Sequence, residues 1–183
     1  MEASYSFAIH SRFSPDNDSI SVGDTIYLIS STSKKLTDVY SGNQIEYNGA
    51  DNLGSTLSIG ELRINSTIPT DAVFDFEYFS ENGRIYNDRS VSSPDGVQQI
   101  TYQETETEYK IKIGIIPKKK GIYAMGLGDG LSIKRKGAFG CQRASFAISI
   151  TDTEQHFYYY QNWRPGYTLT ETDMKRLYCF KVN

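Results

Sequence analysis

The residues of this chain best able to move protons or attack carbon are few: His10, His156, Cys141 and Cys179. A thiolate becomes a strong nucleophile when a neighbouring imidazole takes its proton. Fifteen residues separate Cys141 from His156, enough chain to fold back into such a pair. An acidic residue beside His156 is the other way to build acid–base chemistry there. Neither pairing comes with a third orienting group, and the sequence has no Gly-x-Ser-x-Gly elbow and no His-Glu-x-x-His helix. A hydrolase is therefore the alternative function, and no catalytic residue is assigned. Asp16, Asn17 and Asp18 resemble the start of a calcium loop but lack its downstream Gly and Glu, so they read as a turn. No metal or cofactor is expected.

A different chemistry lies in Phe157 to Tyr167, FYYYQNWRPGY, with six rings in eleven residues. Sugars present flat C–H faces and hydroxyl edges, so a site for them needs exposed rings and amide or guanidinium groups. Exposed rings also suit a protein partner. Rings of this size equally well fill a core. Pro165-Gly166 forces a turn after Trp163, which leaves that ring with fewer neighbours than one in mid-strand. Tyr158 and Tyr160 would share one face of a strand. The candidate ligand-binding residues are Tyr158, Tyr160, Trp163, Arg164 and Tyr167.

Strands must position these groups. Tyr109, Ile111, Ile113 and Ile115 alternate with Lys110, Lys112 and Gly114, the period of a strand with one buried face. Pro117 removes a backbone donor, Gly121 gives a corner, and Tyr123, Met125 and Leu127 begin a second alternation. A Tyr just inside that second strand matches the tyrosine corner of immunoglobulin-like folds. Tyr5, Phe7 and Ile9 mark a first strand, and Ala144, Phe146, Ile148 and Ile150 another. Leu57 and Ile59 change phase to Leu62 and Ile64 at Gly60, which suggests a bulge. Asn82-Gly83 is a hairpin signal. Thr170 to Asp173 resembles a capping box before one short helical turn. At least eight such segments at short spacing predict an all-β, antiparallel, immunoglobulin-like β-sandwich, one domain over residues 1–183.

Composition bounds the rest. The chain has 183 residues with 14 Tyr, 9 Phe and 3 Met, a balance that favours strands over helices. A net charge of −3 excludes a general nucleic-acid binder, which needs a basic field. No apolar run approaches the ~20 residues of a membrane span. The opening MEASYSF has neither a basic start nor an apolar run. Either the protein is cytosolic or Met1 follows a removed leader, and the second reading is preferred. Cys141 and Cys179 allow one disulfide or two buried thiols. A bridge would close a loop long enough to stabilise by roughly 4 kcal/mol through lost chain entropy.

Several pieces, taken in order, resemble the small exported lipoproteins of Bacteroidetes bacteria. They are Ser21-Val22-Gly23-Asp24-Thr25-Ile26, Ile116-Pro117 to Gly121-Ile122-Tyr123, Gly140-Cys141 into Ala144-Ser145-Phe146, and Tyr178-Cys179-Phe180-Lys181-Val182. The resemblance implies an immunoglobulin-like sandwich held at the cell envelope by a lipid anchor. The sequence has neither the leader nor the lipid-bearing Cys, so an anchor would require that both preceded Met1. The reading is then a non-enzymatic envelope or surface protein that binds a glycan or protein partner. It excludes nucleic acid, and membrane contact comes only through the anchor.

Overall fold

The computed structural model describes residues 4–86, 97–135 and 142–183. The chain opens with β1 (Ser4–Ser14), β2 (Ser19–Ile20) and β3 (Ile26–Ser33). A small ribbon of β4 (Lys35–Thr37) and β5 (Gln44–Glu46) follows, then β6 (Gly54–Glu61) and β7 (Thr70–Asp71). Next come β8 (Phe76–Asn82), β9 (Arg84–Tyr86), β10 (Val97–Thr101), β11 (Gln103–Glu104) and β12 (Glu108–Pro117). After β13 (Gly121–Leu127), β14 (Gly130–Lys134) and β15 (Arg143–Ile150), two short helices, α1 (Tyr158–Trp163) and α2 (Glu171–Arg176), lead to β16 (Leu177–Val182).

These strands form a sandwich. The first sheet has the order β11-β12-β3-β1-β15-β14, with β8 also on β12. The second has the order β2-β16-β13-β6-β10-β9, with β7 also on β6. Alternation decides which side chains meet between them. On β1, Phe7, Ile9 and Phe13 are buried while Ala8, His10 and Arg12 are exposed. On β12, Tyr109, Ile111, Ile113 and Ile115 are buried. Rings join the two layers. Phe13 stacks on Tyr178 at 4.5 Å, and Phe76 meets Tyr123 edge-on at 5.0 Å. Each such pair stabilises by about 0.5–1.5 kcal/mol beyond its buried area.

The corner expected after Pro117 carries the chain from the first sheet to the second, because β12 and β13 lie in different layers. The Tyr123 hydroxyl donates back to the Lys119 carbonyl at 3.2 Å, which is the bond of a tyrosine corner. Asn82-Gly83 does not make a simple hairpin. Gly83, at φ +79°, turns the chain from β8 in one sheet to β9 in the other.

Two further expectations are corrected in detail, and a third is met. Most pairings are antiparallel, but β1 pairs β15 in parallel, and so does β16 with β2. The phase change at Gly60 is not a bulge. β6 keeps its register, Leu57 and Ile59 face the core, and Leu62 faces the opposite side, where a second apolar cluster covers it. The helical turn expected near residue 172 is α2, capped as predicted: the Asp173 N–H donates to the Thr170 hydroxyl at 3.1 Å and the Thr170 N–H to Asp173 at 3.0 Å. It is joined by α1, which the sequence did not suggest.

Candidate binding groove

The outer face of the second sheet is unusual in its residue sizes. Because Leu57, Ile59, Tyr123, Met125 and Leu127 point into the core, Ser58 and Gly60 of β6 and Ala124 and Gly126 of β13 point outward. Large side chains here come from elsewhere, chiefly from the aromatic run. That run is helical rather than extended over Tyr158–Trp163. The Gln161 and Arg164 amides donate to the carbonyls of Phe157 and Tyr160, both at 2.9 Å. In a helix, residues three and four apart share a face. Trp163 therefore lies with Tyr159 and Tyr160, and all three pack against Leu62, Ala124 and Cys179.

Pro165-Gly166 then turns the chain as expected, with Gly166 at φ +83°. The turn brings Tyr167 back beside Tyr160, ring centroids 5.9 Å apart. The Arg164 guanidinium lies 4.4 Å from the Tyr167 ring centroid, a cation–π contact. The Trp163 indole N–H donates to the Arg63 carbonyl at 2.7 Å. Burial raises the Tyr160 hydroxyl pKa. Between these rings and the small-residue face lies a groove of about 260 Å³. Ser58, Ala124 and Gly126 form its floor, Pro69, which sits directly over Gly60, and Asp71 form one wall, and Tyr160, Tyr167, Leu169 and Asp173 the other. Tyr167 is 37% exposed.

Of the five residues singled out in the sequence, Tyr160 and Tyr167 line the groove, Arg164 lies on Tyr167, and Trp163 packs edge-on against Tyr160 at 5.2 Å. Tyr158 goes elsewhere. Its hydroxyl donates to Asp18 at 2.8 Å, which ties α1 to the turn after β1 and lowers the Asp18 pKa. The expectation that Tyr158 and Tyr160 share a face holds only for a strand. Sequence reasoning missed Asp71, Leu169, Asp173 and the floor. The signal was present in the outward phase of β6 and β13, where Gly60, Ala124 and Gly126 stand at alternate positions.

Of the acid–base candidates, His156 lies at the other end of α1. His156 is buried, with Nε2 3.5 Å from Asp16 and Nδ1 3.8 Å from Glu154. Nε2 is shut off from solvent, and Asp16 already accepts the Glu154 amide at 2.7 Å. His10 is exposed and meets the Ser149 hydroxyl at 3.1 Å. Cys141 lies outside the described residues, so both the Cys–His pair and the disulfide involve a position with no described geometry. Cys179 is buried under α1, and burial pushes its thiol up to about 12. Among the described residues, no group of three His, Cys, Asp or Glu is arranged to hold a metal ion. No described helix is long and apolar enough to cross a membrane.

No family model matches the chain, and no curated protein matches its sequence. The likenesses found are to solved structures. The Reelin-N domain of F-spondin is 12% identical, over 83% of this chain and 85% of that one, with a TM-score of 0.34. The seventh ScaB type I cohesin from Pseudobacteroides cellulosolvens is 7% identical, over 84% and 98%, with a TM-score of 0.35. A type II cohesin–X-dockerin complex from Acetivibrio cellulolyticus is 12% identical, over 79% and 95%, with a TM-score of 0.30. At this level the likeness is one of β-sandwich outline, distantly resembling Reelin-N and cohesin domains, and carries no argument about ligand or partner. The lipoprotein resemblance rests on the sequence pieces alone.

Proposed function

We propose that this domain is a non-catalytic binding module of an exported surface protein, and that the groove beside α1 seats a sugar ring. The observation that carries the reading is the juxtaposition of the Tyr160 and Tyr167 rings with Asp71 and Asp173 around a hollow of about 260 Å³. Pockets for drug-sized ligands run to about 300–1,000 Å³, so this one suits a single ring. Aromatic faces take the C–H side of a pyranose, and carboxylates accept from its hydroxyls. The buried His156 ring and the shielded Nε2 favour binding over hydrolysis.

Trp163 is the chain's one tryptophan and lies one ring away from the groove, so its emission reports occupancy. Titration with a panel of neutral glycans should shift that emission, and Tyr167→Ala should weaken the best response about tenfold or more. Reducing ends should not be released. No shift with any glycan, or steady release of sugar, would sink the reading. A protein partner is the second reading. Ile64 and Ile68, 89% and 70% exposed, lie on the loop between Arg63 and Pro69 at the groove's margin. Ile68→Asp should abolish binding of such a partner and leave the sugar response intact.

A further inference from the structure

A second, larger hollow of about 610 Å³ lies where the start of β6 meets β14 of the other sheet. Gly54 and Thr56 of β6 and Gln99 and Thr101 of β10 line it from the outer face, Gly130 and Ile133 of β14 close its far end, and Tyr86 of β9 and Asp129 stand at its sides. Thr56 is two residues from Ser58 on one face of β6, a step of about 7 Å. Ser58 already belongs to the groove beside α1. On the β13 side, glycines bridge the two hollows. Gly126 is the cross-strand partner of Ser58, and the Gly128 amide donates to the Thr56 carbonyl at 2.9 Å. A side chain on Gly128 would begin 2.2 Å from the Thr56 hydroxyl oxygen.

We propose that the two hollows are one track along β6, and that its ligand is a linear, neutral oligosaccharide rather than a single sugar. The proposal rests on the sugar-binding reading above. From Ser58 to Gly54 the open floor runs about 13 Å, and at its upper end Pro69 sits over Gly60. Rings stand at both ends, Tyr160 and Tyr167 at one and Tyr86, 43% exposed, at the other. Between them the floor presents the Ser58, Thr56 and Thr101 hydroxyls and the Gln99 amide, groups that pair with sugar hydroxyls.

The topology argues against a peptide bound by strand addition. An extended peptide docks on a sheet by adding a strand to a free edge. β6 is paired by β13 over 57–61 and by the Gly128 amide at Thr56 on one side, and by β10 and β7 on the other, which leaves no edge long enough to take a strand. The track therefore offers chiefly side-chain hydroxyls and amides. Its charge selects further. At one end the Asp71 and Asp173 carboxylates outnumber the Arg164 guanidinium that lies on Tyr167, so an anionic chain gains nothing there over an uncharged one. Asp129 acts as a wall, because its two oxygens accept the Ile148 amide and the Arg176 guanidinium.

The test is affinity against ligand length, measured by calorimetry on the whole chain with α-1,4- and β-1,4-linked gluco-oligosaccharides of two to six units. Affinity should rise about tenfold or more from the shortest to the longest of the preferred linkage. Tyr86→Ala should remove that rise and leave the disaccharide affinity unchanged, with Gln99→Ala doing the same more weakly. Unchanged thermal unfolding of both variants keeps the comparison one of binding. Equal affinity at every length, or a Tyr86→Ala variant that still discriminates length, overturns the track and leaves the single-ring groove standing. Absence of binding to carbohydrate of any length or linkage overturns both.

Discussion

Asp129 shows how much one side chain can hold. Its carboxylate accepts the Ile148 amide at 3.0 Å and the Arg176 guanidinium at 2.5 Å, so it fastens α2 to β15. Hydrogen bonds to a charged group contribute about 1.5–3 kcal/mol each when largely shielded from water. The Arg176 end is partly exposed, which puts the Asp129→Ala cost nearer 2–3 kcal/mol than the sum. A urea titration reads this as a lower midpoint at unchanged slope, and an unmoved midpoint would refute the fastening. Cys179 gives a second expectation at this scale. Its thiol, pushed up to about 12 by burial under α1, is a poor nucleophile at neutral pH. Alkylation of the native protein should leave Cys179 unmodified for as long as the fold persists, and rapid native labelling would contradict its burial. The Cys141–Cys179 bond remains a proposal, which the mass of the unreduced peptides decides.

At the scale of elements, the strands were legible because each buries one face. Phe7 and Ile9, Tyr109 to Ile115, and Phe146 to Ile150 each lie on the core side that their period of two requires. The outer face of the second sheet was harder to read. Leu62 broke the phase of β6, and the break reflects a second buried face rather than a bulge, which local pattern cannot distinguish. The aromatic run is helical where its sequence suggests a strand, because six residues are too few to show a period of 3.6 and four consecutive rings fit either period. Its helix is marginal alone and gains its stability from Tyr159, Tyr160 and Trp163 packing on the sheet. α2, by contrast, announced itself through its cap. Thr170→Ala removes the acceptor of the Asp173 amide and should cost about 1 kcal/mol. Because Leu169 and Asp173 wall the groove on either side of Thr170, the same change should weaken any groove ligand more than it weakens the fold. Equal binding by the variant and the parent would separate the cap from the site.

For the whole molecule, the two layers are held by a continuous stack of rings, and the connections are held by carboxylates. Tyr178 stacks on Phe13 and on Phe180, and Phe180 on Tyr123, so the core is bound across both sheets. The carboxylates act at the margins. Asp38 accepts the Ser6 amide at 2.9 Å, the Ser41 amide at 2.9 Å and the Ser41 hydroxyl at 2.6 Å, joining the β4–β5 ribbon to β1. The Ser41 hydroxyl bond is the main cause of a lowered Asp38 pKa. Asp18 is lowered chiefly by Tyr158, and Glu108 chiefly by the Ser31 hydroxyl. A carboxylate with a lowered folded pKa stabilises fully above its unfolded value, and that contribution is lost as the pH falls through the folded value. Stability should therefore be nearly flat from pH 7 to 5 and fall below about pH 4, where unfolded carboxylates begin to bind protons and folded ones resist. Asp38→Asn cannot titrate at that position, so it should lower stability at neutral pH and give a shallower fall in acid. Denaturant midpoints measured across this range check both halves. A variant as stable as the parent at pH 7, or one with an equally steep fall, would mean that Asp38 does not tie the ribbon to the sandwich.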